Sequence, residues 1–190
     1  MKKIISLFCR NYDGDRLIRD EIVEGAEWVI IGEGIATVKV DGTCCLVRDG
    51  KLYKRYDAKK GRKPPANFEA AQDYDEITGH MPGWVPVGDG PEDKWHREAF
   101  NRCTSLDNGT YELIGPKIQG NPYAISDHHL IRHGSQRLTD VPTQFDQIRV
   151  YLIERPDIEG IVWWHPDGRM VKVKRKDYGL SWPPRLIEGA

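Results

Sequence analysis

The chain has 190 residues, 39% hydrophobic and 30% charged, with a formal net charge of −1. A domain of this length buries roughly 70% of its unfolded surface, so the composition is that of an ordinary soluble folded protein and excludes a disordered, fibrous or membrane-embedded chain. The near-neutral total does not exclude an anionic partner, because clustering matters more than the sum.

Cations crowd Lys51, Lys54, Arg55, Lys59, Lys60, Arg62 and Lys63, and again Lys172, Lys174, Arg175 and Lys176, while acids gather at Asp73–Glu76 and Asp89–Asp93. The N-terminal apolar run Ile4–Phe8 stops at Cys9-Arg10-Asn11, too short for a signal core or a membrane span. A cytoplasmic protein with no membrane partner is expected. Cys9, Cys44, Cys45 and Cys103 have no zinc-type spacing. Cys44 and Cys45, adjacent on a strand, point to opposite faces and read as small, buried, reduced residues.

Gly32-Glu33-Gly34 reads as a turn. Thr37–Val40 and Cys44–Val47 read as one strand running through the Asp41-Gly42 step, with Asp49-Gly50 turning it into Leu52–Tyr56. Residues 59–94, rich in Gly, Pro and charge, predict loops with a short helix. Pro91 starts a helix over Glu92–Arg102, and Tyr111–Gly115 is a strand. From Gly115 to Pro142 the prolines, glycines and histidines predict a long loop, in which His128, His129 and His133 are polar loop residues.

Phe145, Ile148 and Leu152 have helical spacing within Asp140–Glu154, and Pro156 ends that helix. Ile158–Trp164 and Arg169–Lys176 are strands joined by Pro166-Asp167-Gly168, with one ring of Trp163-Trp164 in the core and one outside. Short strands and few helices predict a single α+β domain, 1–190, of antiparallel sheets flanked by helices.

Chemistry centres on Lys39 and Asp41, two apart in Lys39-Val40-Asp41-Gly42. An amine attacks only when unprotonated, and a free lysine titrates near pH ~10.4, so a nucleophilic lysine needs burial or neighbouring cations. Lys172 and Lys174 alternate along one strand, share a face, and suit both that task and the charge of a phosphate. Glu112 and Glu159 supply carboxylates, the donor that a hard divalent cation takes.

The series Lys39-Val40-Asp41-Gly42, Lys54-Arg55, Tyr111-Glu112, Glu159-Gly160-Ile161-Val162 and Val171-Lys172-Val173-Lys174 resembles the motifs of covalent polynucleotide nucleotidyltransferases. KVDGTCC (39–45) and YELIGPKIQGNPY (111–123) are similar to a small branch of ATP-dependent RNA ligases that includes a vertebrate 5′-to-3′ RNA ligase. That resemblance spans roughly Trp28 to Tyr178. It implies an ATP-grasp-like nucleotidyltransferase (adenylation) domain without an OB-fold.

It further implies that Lys39 becomes adenylylated from ATP, that AMP passes to an RNA 5′-phosphate, and that a 3′-hydroxyl then displaces it. The cofactors implied are ATP and Mg²⁺, with Mn²⁺ as a substitute; the partner is RNA with 5′-phosphate and 3′-hydroxyl ends, bound by a monomer.

By the same resemblance, Asp41 holds the nucleophile loop, Arg55 (or Lys54) contacts ribose or phosphate, Glu112 the ribose hydroxyls and Val162 the adenine. Glu159 binds the metal, and Lys172 and Lys174 the phosphates. No RNA-binding residue is assigned, although Lys59–Lys63 suits a phosphate backbone. Asn121, Pro122 and Tyr123 frame the nucleotide. Val38 departs from the pattern, standing where many RNA ligases carry glutamate. A DNA ligase, a GTP-dependent capping-type enzyme and a non-catalytic RNA-binding relative are the alternatives.

Overall fold

The structure is a computed structural model that describes residues 1–76 and 78–183. In chain order it begins with strands β1 (Ile5–Ser6), β2 (Phe8–Arg10) and β3 (Ile18–Ile22), the short helix α1 (Glu27–Ile30) and β4 (Ile35–Lys39). Then come β5 (Thr43–Arg48), β6 (Lys51–Lys59), β7 (Glu69–Ala70), β8 (His80–Pro86), α2 (Lys94–Asn101), β9 (Gly109–Ile114) and β10 (His129–Arg132). The last are α3 (Phe145–Glu154), β11 (Gly160–Trp164) and β12 (Met170–Lys174). These form two compact units: Ile4–Val40 with the chain from Gly134 onward, and Met1–Lys3 with Asp41–His133.

The first unit is built on a sheet of order β1-β12-β11-β4. β11 runs antiparallel to both neighbours, and Gly160 stands opposite Lys39 on one side and Lys174 on the other. Directly opposed residues share a face and successive ones alternate. One face therefore carries Val38, Ile161, Trp163, Val171 and Val173, packed with Leu7, Phe8 and the α3 residues Ile148 and Leu152 in the core. The other carries Thr37, Lys39, Gly160, Val162, Lys172 and Lys174.

Ile148 and Leu152, four apart, fall on one side of α3 and are fully buried. The helix starts at Phe145 rather than Asp140, because the chain past Pro142 is still extended at Gln144. Buried Arg175 ties the end of α3 to the turn after β12, donating to the carbonyls of Leu152 and Ser181.

The second unit holds an antiparallel sheet of order β10-β9-β5-β6-β8-β7. Asp49 and Gly50 both have positive φ, 51° and 70°, the backbone of a two-residue type I′ hairpin that pairs Arg48 with Lys51. Cys45, Val47, Leu52, Tyr111 and Leu113 form its core with Ala99 of α2. Alternation puts Cys44, Arg55 and Glu112 on the opposite face.

The expected mixed α+β chain dominated by antiparallel pairing is what the strands form; the exception is β1, parallel to β12. The Glu92–Arg102 helix is present as a 3-10 turn at Pro91–Asp93 followed by α2. Gly32 and Gly34 both take positive φ in a turn, as expected.

Three expectations are corrected. Thr37–Val47 is not one strand. β4 pairs with β11 and β5 with β9, and the break falls at Gly42, where a Cβ would lie 2.2 Å from the Leu113 carbonyl. Residues 59–94 contain a seven-residue strand, β8, whose Pro82 and Pro86 mask its pattern. The 115–142 stretch contains β10, paired along β9. No described helix is long and apolar enough to cross a membrane.

At Gly160 a Cβ would meet the Val173 carbonyl at 2.2 Å, in the central strand between two lysines. Gly160→Ala is expected to lower stability by about 1–3 kcal/mol, read as a lower urea midpoint at unchanged slope.

Candidate functional site

The polar face of the four-stranded sheet gathers most of the residues singled out in the sequence. Lys39 ends β4, and its ammonium lies 2.6 Å from the Glu159 carboxylate just before β11. Both side chains are largely shielded, at 20% and 8% exposure. The Glu159 carbonyl accepts from the Arg175 N–H at 2.8 Å, so the backbone carrying the carboxylate is held to the turn after β12. Val162 is buried beside them, its carbonyl accepting from the Thr37 hydroxyl at 3.1 Å. Trp164 donates its indole N–H to the same hydroxyl at 2.8 Å, and Trp163 lies in the core. The two rings divide between the faces as expected.

Lys172 lies opposite Val162, and Lys174 opposite Gly160. Burial lowers the Lys172 pKa to about 8, with repulsion from Lys39 and Lys174 adding to the shift. Three lysines thus share this face, and the shift falls on Lys172. The Lys174 N–H donates to Asp177 at 2.8 Å, fixing the end of β12.

The remaining singled-out residues lie in the other unit. Glu112 is buried on β9, with Cys44 directly opposite on β5, and its carboxylate is 2.7 Å from His133 Nε2. Arg55 donates to the Met1 carbonyl at 2.6 Å, with its guanidinium 5.1 Å from the centre of the Trp84 ring. Lys54, the other β6 candidate, points to the core face and pairs with buried Asp93. Of the two, Arg55 is the one on the face of Glu112.

Asp41 donates its backbone N–H to the Tyr123 hydroxyl at 2.6 Å, and Gln119 donates to the Gly42 carbonyl at 3.3 Å. Asn121 bridges to Ile125 in both directions, shaping the loop that brings Tyr123 to Asp41. Among the three clustered histidines, His128 pairs with Glu98 and stacks on Trp95, and His129 is exposed. The expectation of polar loop residues is corrected at His129, which opens β10, and at His128, which is buried; His133 lies in the turn after β10, where its N–H donates to Thr110 and its ring reaches Glu112. Cys44, expected to be buried, is only half-buried on that face. Neither was legible, because the register that joins them spans three strands.

Residues 102–187 match the family model described as RNA ligase 1. It is the RNA ligase 1 family that this chain resembles. The sequence is 29% identical to RNA ligase 1 of Danio rerio and also to that of Mus musculus, each over 78% of this chain and 68% of the relative. Identity to RNA ligase 1 of Pongo abelii is 28%, over 80% of this chain and 70% of that protein. The span matched by the RNA ligase 1 model contains Glu112, Glu159, Val162, Lys172 and Lys174; Lys39, Asp41 and Arg55 precede it.

The depressed Lys172 pKa makes stability pH-dependent. Between pH of about 8 and the unfolded value near ~10.4, the unfolded chain binds more protons, so stability rises with pH and is constant below that window. Lys172→Met is expected to abolish this rise and to raise the melting temperature at pH 7, both measurable by thermal denaturation across pH.

Proposed function

We propose that this chain is an ATP-dependent RNA ligase that joins 5′-phosphate and 3′-hydroxyl RNA ends through a lysyl-AMP at Lys39, residues 1–190 acting as one nucleotidyltransferase domain. The observation that carries this is the polar sheet face itself: an amine held by a buried carboxylate, with two further lysines alternating beside it. Similarity to RNA ligase 1 supports the choice of RNA and of the ligase reaction.

In this reading Glu159 orients the Lys39 amine for attack on the α-phosphorus of ATP, a bond that forms as the one to pyrophosphate breaks. Lys172 and Lys174 meet the charge growing on the phosphate oxygens, where fixed cations in a partly shielded site act more strongly than in water. Lys172, half-neutral near pH of about 8 without substrate, takes up a proton as phosphate binds. Val162, on the same face, lies against the base. Asp41, placed by its backbone bond to Tyr123, holds the nucleophile loop, and Arg55 and Glu112 take the phosphate or ribose hydroxyls.

Glu159 fits Mg²⁺ or Mn²⁺ as a shielded oxygen donor, the kind that binds such ions together with phosphate and water. The ion when bound would neutralise phosphate charge. The product nucleotide leaves Lys39 for the RNA 5′-phosphate and is displaced by the 3′-hydroxyl, so one difficult condensation becomes successive exchanges.

The test is denaturing-gel labelling of the purified chain with α-labelled ATP or GTP in Mg²⁺. A band with ATP that Lys39→Ala abolishes and EDTA prevents is expected; full labelling of Lys39→Ala moves the nucleophile elsewhere, and a GTP-only band favours a capping-type enzyme. Lys174→Ala should slow labelling on the order of 10²–10³-fold, the cost of one lost transition-state contact. Sealing of nicked RNA against nicked DNA then decides the polymer.

A further inference from the structure

The face of the six-stranded sheet that carries Glu112 also gathers a thiol and an imidazole. Cys44, Glu112 and His133 each offer a donor atom, and the three atoms lie within 4.8 Å of one another. They come from separate strands or their ends. Cys44 on β5 is paired across to Glu112 on β9, and His133 leaves β10 with its N–H bonded to Thr110. The imidazole and carboxylate already meet at 2.7 Å, with side chains only 15% and 11% exposed.

We propose that Cys44, Glu112 and His133 form a binding site for a borderline-soft divalent cation of the zinc type. Thiolate and imidazole bind Zn²⁺ well and Mg²⁺ poorly, so the donor set selects against the ion expected at Glu159. Two donors on one tetrahedral zinc stand about 3.5 Å apart, from bond lengths of roughly 2.0–2.3 Å. The cation would open the Glu112–His133 hydrogen bond and draw the thiol inward, movements within the reach of side-chain rotation.

Charge balances as well: a thiolate and a carboxylate offset the two positive charges, and the imidazole stays neutral. The thiol proton is released to solvent on binding. Three protein donors leave the fourth tetrahedral position open.

The consequence rests on the function proposed above. Glu112 is there the acceptor for the ribose hydroxyls, so a zinc ion on that carboxylate would withdraw it from ATP. Zinc would then inhibit lysyl-AMP formation even in excess Mg²⁺.

The experiment titrates the purified full chain with Co²⁺, an optical probe for zinc sites. A thiolate-to-cobalt charge-transfer band with tetrahedral visible bands, saturating at a single equivalent and reversed by Zn²⁺, is expected. Cys44→Ser should remove the charge-transfer band, and Cys103→Ser should keep it. His133→Gln should weaken binding at least about tenfold, since even an outer-shell change costs roughly 10–100-fold. Circular dichroism melts establish that each variant is folded.

Absence of the band in folded wild-type protein, or its persistence in Cys44→Ser, overturns the site. ATP labelling with and without Zn²⁺ is read separately. Labelling by wild type that Zn²⁺ leaves intact overturns the inhibitory consequence. No labelling under any condition overturns the ligase reading while the cobalt spectrum still decides the metal site.

Discussion

Lys39, Lys172 and Lys174 share one face of a small sheet, and like charges gathered there oppose folding. The ion pair between Lys39 and Glu159 offsets part of that cost at the end of the cluster. The uncompensated remainder is seen at Lys172, whose ammonium is disfavoured by burial and by its two neighbours. Replacing a buried ion pair by apolar side chains of similar size is commonly neutral or stabilising, so charges crowded in this way are weak contributors to stability. In the function proposed above, these cations are half of a complementary pair whose other half is the phosphate of the nucleotide.

The precision of this face depends on the apolar one behind it. Val38, Ile161, Trp163, Val171 and Val173 are locked between α3 and the N-terminal segment, so the backbone positions of their lysine neighbours are not free to drift. Gly160 adds a second constraint: its lack of a side chain lets β11 pass close to β12 between two lysines. The six-stranded sheet repeats the design. Cys45, Val47, Tyr111 and Leu113 anchor one face, and Cys44, Arg55 and Glu112 are carried on the other.

Period-two patterns were the legible part of the chain. Val171-Lys172-Val173-Lys174 announces two lysines on one face, and Asp49-Gly50 announces its hairpin, because both depend on neighbours in sequence. β8 was hidden, since its prolines lack the N–H that marks a strand residue and its pairing comes from β6. The break at Asp41-Gly42 is hidden for a related reason: continuity of β-type residues does not tell that β4 pairs with β11 and β5 with β9. His133 is a turn residue whose place beside Glu112 comes from the pairing of β10 with β9.

By itself the sequence determined the chemistry available: a lysine before Asp-Gly, alternating lysines near the end, and two glutamates on strands, in an order similar to RNA ligases. Tertiary structure alone decided which of these meet. Glu159 reaches Lys39 across 120 positions, and Cys44, Glu112 and His133 converge from three segments. Alternation along a strand is set by the local backbone and can be read from neighbouring residues. Register between strands is set by the burial of both apolar faces together, and no single segment contains that information.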